Sequence, residues 1–72
     1  MASIVGKSVL EPYSQTLTLP EPILVTSLPE LMKLPKALHT NIIPVRDGKM
    51  LSLDELIHDE DEISVFIAVM GG

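Results

Sequence analysis

Cysteine is absent from the 72 residues. That excludes disulfides, thiolate metal sites and a thiol nucleophile. Tryptophan is absent too, and the aromatics amount to one Tyr and one Phe. A core must then be assembled from Ile, Leu, Val and Met. Basic residues are scarce: five Lys and Arg stand against ten Asp and Glu, for a formal net charge of -5. Such a balance opposes direct binding to nucleic acid or to an anionic membrane. The longest purely apolar run, Val65 to Met70, falls far short of the roughly 20 residues that span a bilayer. The opening Met1-Ala2-Ser3-Ile4-Val5-Gly6-Lys7 lacks a basic segment followed by an apolar one, so a soluble, cytoplasmic protein is expected.

Chemistry-bearing patterns are equally sparse. No glycine-rich phosphate loop is present. His39 and His58 lack a third residue at metal-ligand spacing, and no Ser/His/Asp set suggests a hydrolase. The expectation is a chain with no catalysis of its own and no bound cofactor: a carrier, a binding module or a subunit, monomeric when alone. The length admits one domain, residues 1–72.

Six prolines, at positions 12, 20, 22, 29, 35 and 44, divide the chain into short pieces. Ile4 to Leu10 reads as a strand weakened by Gly6, and Glu11-Pro12-Tyr13-Ser14 as a turn. Gln15 to Leu19 alternates apolar with polar, as a half-buried strand does. Leu28, Leu31, Met32 and Leu34 form an apolar stripe at helical spacing. Thr26 or Ser27 is in place to cap that helix, and Pro35 to stop it after about two turns. Asn41 to Arg46 is a strand, Asp47-Gly48 a hairpin turn, and Lys49-Met50-Leu51 the returning strand. Ser52-Leu53-Asp54-Glu55 matches a capping box that would open a helical turn through Ile57. After a polar loop, His58 to Glu62, Ile63 to Val69 is apolar on both faces, the mark of a central strand.

Strands before and after one helix predict an α+β domain: a mixed four- to five-stranded sheet with the main helix across one face. If the last strand is central it lies beside the first, and that arrangement is the β-grasp.

Gly71-Gly72 carries the chemistry. Two residues without Cβ can thread a slot that any side chain would block. They follow the best strand, so a flexible tail on a rigid base is expected. The only functional group at its tip would be a carboxylate, which is a poor electrophile until activated. With no nucleotide-binding loop in this chain, a separate enzyme using ATP would be required.

The segments Asn41 to Lys49, Leu51 to Leu56, Asp59 to Ile63 and Ala68 to Gly72 resemble the second half of the ThiS/MoaD sulfur carriers, which are ubiquitin-like β-grasp proteins. The resemblance implies that a ubiquitin-activating-type adenylyltransferase adenylates Gly72. A persulfide donor then converts it to a thiocarboxylate. The acceptor synthase would be a thiazole synthase, the large subunit of molybdopterin synthase, or a tRNA thiolase, serving thiamine, molybdopterin or tRNA thiolation. Gly71 would supply access. Two other roles remain open: a ubiquitin-like modifier joined to lysines through Gly72, and a β-grasp interaction domain whose terminal glycines are incidental.

Three further features are candidate partner contacts. Phe66 shares a face with Ser64 and Ala68. It is either core under the helix or, as preferred here, an anchor on the helix-free face. Met70 immediately precedes the glycines. The acidic run Asp59, Glu60, Asp61 and Glu62 is most simply a solvated loop; the functional alternative is electrostatic docking to a basic partner.

Overall fold

The computed structural model describes residues 1–39 and 41–68. Its elements run β1 (Ala2–Gly6), β2 (Gln15–Leu17), β3 (Ile23–Leu24), α1 (Leu28–Leu31), β4 (Ile42–Arg46), β5 (Lys49–Met50), β6 (Leu56–Ile57) and β7 (Glu62–Ile67). Short 3-10 segments cover Ser8–Tyr13, Val25–Ser27 and Lys36–Leu38. Five strands make one sheet in the order β2-β1-β7-β4-β5, while β3 and β6 form a separate two-stranded ribbon. β1 and β7 pair in parallel at the centre, and every other pairing is antiparallel. This is the expected α+β architecture with a mixed sheet and one main helix on one face, in a β-grasp-like arrangement.

The core sits between the sheet and the helical segment. Ile63 and Val65 alternate inward from β7 beside Ile4 of β1. They meet Val25, Leu28, Met32 and Leu34 from the helix and its exit, with Leu10, Leu51 and Ile57 closing the ends. These side chains are aliphatic, as the shortage of aromatics requires. Pro44 lies within β4, between two neighbours, where a missing donor is normally costly. Its carbonyl accepts the Leu51 N–H at 2.9 Å. A strand residue's N and O point the same way, so the ring nitrogen faces the side where β5 pairs over only two residues.

Three sequence expectations are corrected. The first strand stops at Gly6 rather than Leu10. Ser8 adopts φ 55°, and the chain winds into the 3-10 segment so that Leu10, fully buried, folds back onto the core. A Cβ on Gly6 would stand 2.0 Å from the Leu10 carbonyl oxygen; the return is possible only over a glycine. The helix is one α-turn preceded by a 3-10 turn, and Ser27 makes no capping bond through its side chain. Finally, Ser52–Glu55 forms half of its capping box, with the Glu55 carboxylate accepting the Ser52 N–H at 2.6 Å. No helix follows. Leu56 and Ile57 instead pair with Leu24 and Ile23, and in this extended segment Ile57 is fully buried.

Candidate functional site

β7 delivers two different surfaces by alternation. Ile63 and Val65 enter the core, whereas Ser64 and Phe66 point to the helix-free face. Phe66 is 41% exposed and lies opposite Ile43 of β4. One row away, Val5, Ser64, Val45 and Met50 line up across β1, β7, β4 and β5. Met50 and Val5 are also exposed. The sheet thus presents a patch of Val5, Ile43, Val45, Met50 and Phe66 that nothing in the chain covers among the described residues. Exposed apolar groups that adjoin in this way mark interaction surfaces more often than scattered ones do.

The strand that carries Phe66 ends at Ile67, and the next residue, Ala68, donates its N–H to the Asn41 carbonyl at 2.6 Å. Met70, Gly71 and Gly72 lie outside the described residues. The base from which they continue is therefore a strand held on both sides, by β1 and by β4.

The acidic run divides by role. One Asp59 carboxylate oxygen accepts the Leu19 N–H at 2.7 Å, and the other accepts the Met1 amino group at 3.3 Å. The Leu19 hydrogen bond first, then the amino group, hold the Asp59 carboxyl below the usual carboxylate range. Asp61 accepts the Arg46 guanidinium at 2.7 Å and the His58 N–H at 2.8 Å. Burial works against its ionisation, but those two donors prevail, and its pKa is lowered as well. Arg46 further donates to the Leu56 carbonyl and lies 3.7 Å from Glu55. Asp59 and Asp61 thus act inside the fold, tying the loop before β7 to β2's exit and to β4. Glu60 and Glu62 are exposed. Spacing alone did not separate these roles. The one readable signal was the reach-back of an Asp to the amide three residues earlier, which resembles the capping geometry read at Ser52–Glu55.

An open cleft of about 280 Å³ lies beside the β4–β5 turn, lined by Arg46, Asp47, Lys49, Met50, Leu51 and Glu55. Its charges are mixed, and Arg46 is already engaged. The His39 ring shares a hydrogen bond with the Leu34 carbonyl at 2.8 Å, and among the described residues no group of three potential ligands could hold a metal ion. No described helix is long and apolar enough to cross a membrane.

No protein-family model matches the chain, and no curated protein matches it either.

Proposed function

We propose that this protein is a sulfur carrier that works through Gly72. The observation that supports the reading is the position of β7. The strand leading to Gly71-Gly72 is the central one, flanked on both sides, so a carboxyl group at Gly72 would be presented from a rigid base. Activation transfers AMP from ATP to the Gly72 carboxylate and releases pyrophosphate. The terminal sulfur of a partner persulfide then attacks the acyl carbon, and AMP leaves. A partner thiol cleaves the resulting acyl disulfide, so that the thiocarboxylate departs as a new disulfide forms. Thiazole, molybdopterin and tRNA uridine are the acceptor classes in keeping with the sequence resemblance. The chain's own residues bind and present. Phe66 and its neighbours supply the apolar contact, and Gly71 supplies the clearance for entry into a narrow slot.

The test is the intact mass of the protein, tagged only at its N-terminus and purified from its own host. A species heavier by the exchange of one oxygen for sulfur, mapped to Gly72, is expected. It should vanish when Gly72 is deleted. A homogeneous unmodified mass after incubation with ATP, a sulfur donor and the host's activating enzyme would refute the carrier role. Conjugation of Gly72 to lysines uses the same activated carboxyl and would appear as Gly72-dependent heavier conjugates in extract.

A further inference from the structure

The β3–β6 ribbon has two faces of opposite character. Ile23 and Ile57, paired across it, turn into the core. Leu24 and Leu56 are the other pair, so their side chains leave from the outer face, 46% and 43% exposed. Leu53, in the turn that leads into β6, is 70% exposed. Ile57 belongs to the core between the sheet and the helical segment. The ribbon's outer face is therefore turned away from that core, and it is not the face that carries Phe66.

The charges around this outer face are mostly of one sign. The segments that form it, 21–27 and 52–58, contain Glu21, Asp54 and Glu55 and no Lys or Arg. Glu21 and Asp54 are exposed. Glu55 is fixed beside β3, its carbonyl accepting the Val25 N–H at 3.0 Å. The basic side chains that contacts bring to the ribbon are Arg46 and Lys49. Arg46 donates to the Leu56 carbonyl, but its charge is met by Asp61 at 2.7 Å. Lys49 shares its cleft with Asp47 as well as Glu55. Elsewhere Lys7, Lys33 and Lys36 are matched in number by Glu11, Glu30 and Glu62. The net charge of -5 is thus carried by the ribbon segments, the β4–β5 turn and the 58–61 loop, which Arg46 ties together through Leu56 and Asp61.

Adjoining exposed leucines beside unpaired carboxylates favour one kind of occupant. An apolar segment alone would leave the carboxylates unmatched, and a phosphate-bearing polymer would be repelled by them. We infer that the outer face of the ribbon is a second docking surface, for a basic amphipathic segment of a partner protein. Its large apolar side chains cover Leu24 and Leu56, and Lys or Arg on either side of them meet Glu21, Asp54 and Glu55. Electrostatic docking to a basic partner then falls to these three carboxylates rather than to Asp59 and Asp61, which act inside the fold. The surface neither includes nor needs Gly72, so it is independent of the carrier role.

The probe is a labelled synthetic peptide of about 14 residues, Leu and Lys at the spacing of an amphipathic helix, titrated into the full chain and followed by fluorescence anisotropy. A Leu24→Ser/Leu56→Ser variant should bind it about ten-fold more weakly. A Glu21→Gln/Asp54→Asn variant should lose about three-fold at low salt, and that gap should close as salt screens the charges. Deletion of Gly72 should leave binding unchanged, so the failure of either reading leaves the other standing. Amide shifts recorded by NMR during the titration of the unsubstituted chain locate the site without any substitution. They should concentrate at residues 23–24 and 53–57 and spare 43–45 and 64–66. No binding by the unsubstituted chain, equal binding by the leucine variant, or shifts centred on Phe66 would each overturn the inference. If the leucine variant melts early, the shift map alone decides.

Discussion

Arg46 at the end of β4 and Asp61 at the entrance to β7 meet across 2.7 Å, 24% and 17% exposed. The same guanidinium holds the Leu56 carbonyl, and the same carboxylate holds the His58 N–H. One pair therefore fixes the ribbon strand β6, the loop after it and the sheet to one another. Asp61→Asn should cost about 1–2 kcal/mol, the value of hydrogen bonds to a charged group discounted for partial exposure. Urea unfolding at neutral pH measures it. Asp61→Ala should cost more, because the His58 amide loses its acceptor.

The acid limb of stability follows from the same contacts. Asp59 and Asp61 both have lowered pKa values in the fold, so in acid the unfolded chain takes up protons first. Their contribution is complete above the ordinary carboxylate value of about 3.9 and is lost as pH falls through the lower folded values. Urea midpoints should stay level from neutral pH down to about pH 5 and drop below about pH 4. In an Asp59→Asn/Asp61→Asn variant that drop should flatten, whatever its starting stability. An equally steep drop would place the acid sensitivity elsewhere.

Two glycines are needed for different reasons. At Gly6 an added Cβ would collide with backbone, 2.0 Å from the Leu10 oxygen. Gly6→Ala should therefore cost about 3 kcal/mol or more and displace the buried Leu10. Gly48 has open space around it and φ +77°. Gly48→Ala meets only the left-handed penalty, roughly 1 kcal/mol. Chemical denaturation of both variants should give that order, and the reverse order would contradict the close approach at Gly6.

Phe66 and Ile63 lie on the same strand and should respond oppositely. Phe66→Ala removes an exposed ring, so its stability should stay within about 0.5 kcal/mol of the parent. On the proposed carrier role, binding to a ubiquitin-activating-type enzyme, measured by titration calorimetry, should fall at least ten-fold, the loss expected of an interface anchor. Ile63→Val, although far milder, removes a fully buried methyl group and should cost about 0.5–1.5 kcal/mol with binding intact.

How much of this could be read beforehand depends on the range of the interaction involved. The phase of β7, with Phe66 on the face opposite to Ile63 and Val65, and the Asp47-Gly48 turn follow from period-two alternation and turn chemistry, which are local; which of the two faces the helix covers does not. The end of β1 does not. Nothing within Ile4 to Leu10 announces that Leu10 must return over Gly6, because the constraint is contact with the far side of the core. Ser52–Glu55 shows the converse. Its local signal is real, and half of the capping box forms, but Ile57 gains more from burial against Ile23's strand than from a helical turn. Asp59 and Asp61 look like a solvated run because their partners, Leu19 and Arg46, are distant in sequence. For the site, the sequence located the strand and its faces, while the row of Val5, Ser64, Val45 and Met50 beside Phe66 emerged only once β1, β7, β4 and β5 were set side by side.

The parallel pairing of β1 with β7 has a consequence for how the chain is made. Ser3 pairs with Glu62 and Gly6 with Val65, so the two strands at the middle of the sheet are separated by nearly the whole sequence. Such closure gives a high contact order and slows folding relative to a helical domain of the same size. During synthesis β1 must wait without its central neighbour until β7 has left the ribosome. A chain stalled before Glu62 would hold its aliphatic face exposed, as a ready client for chaperones rather than a partly working protein.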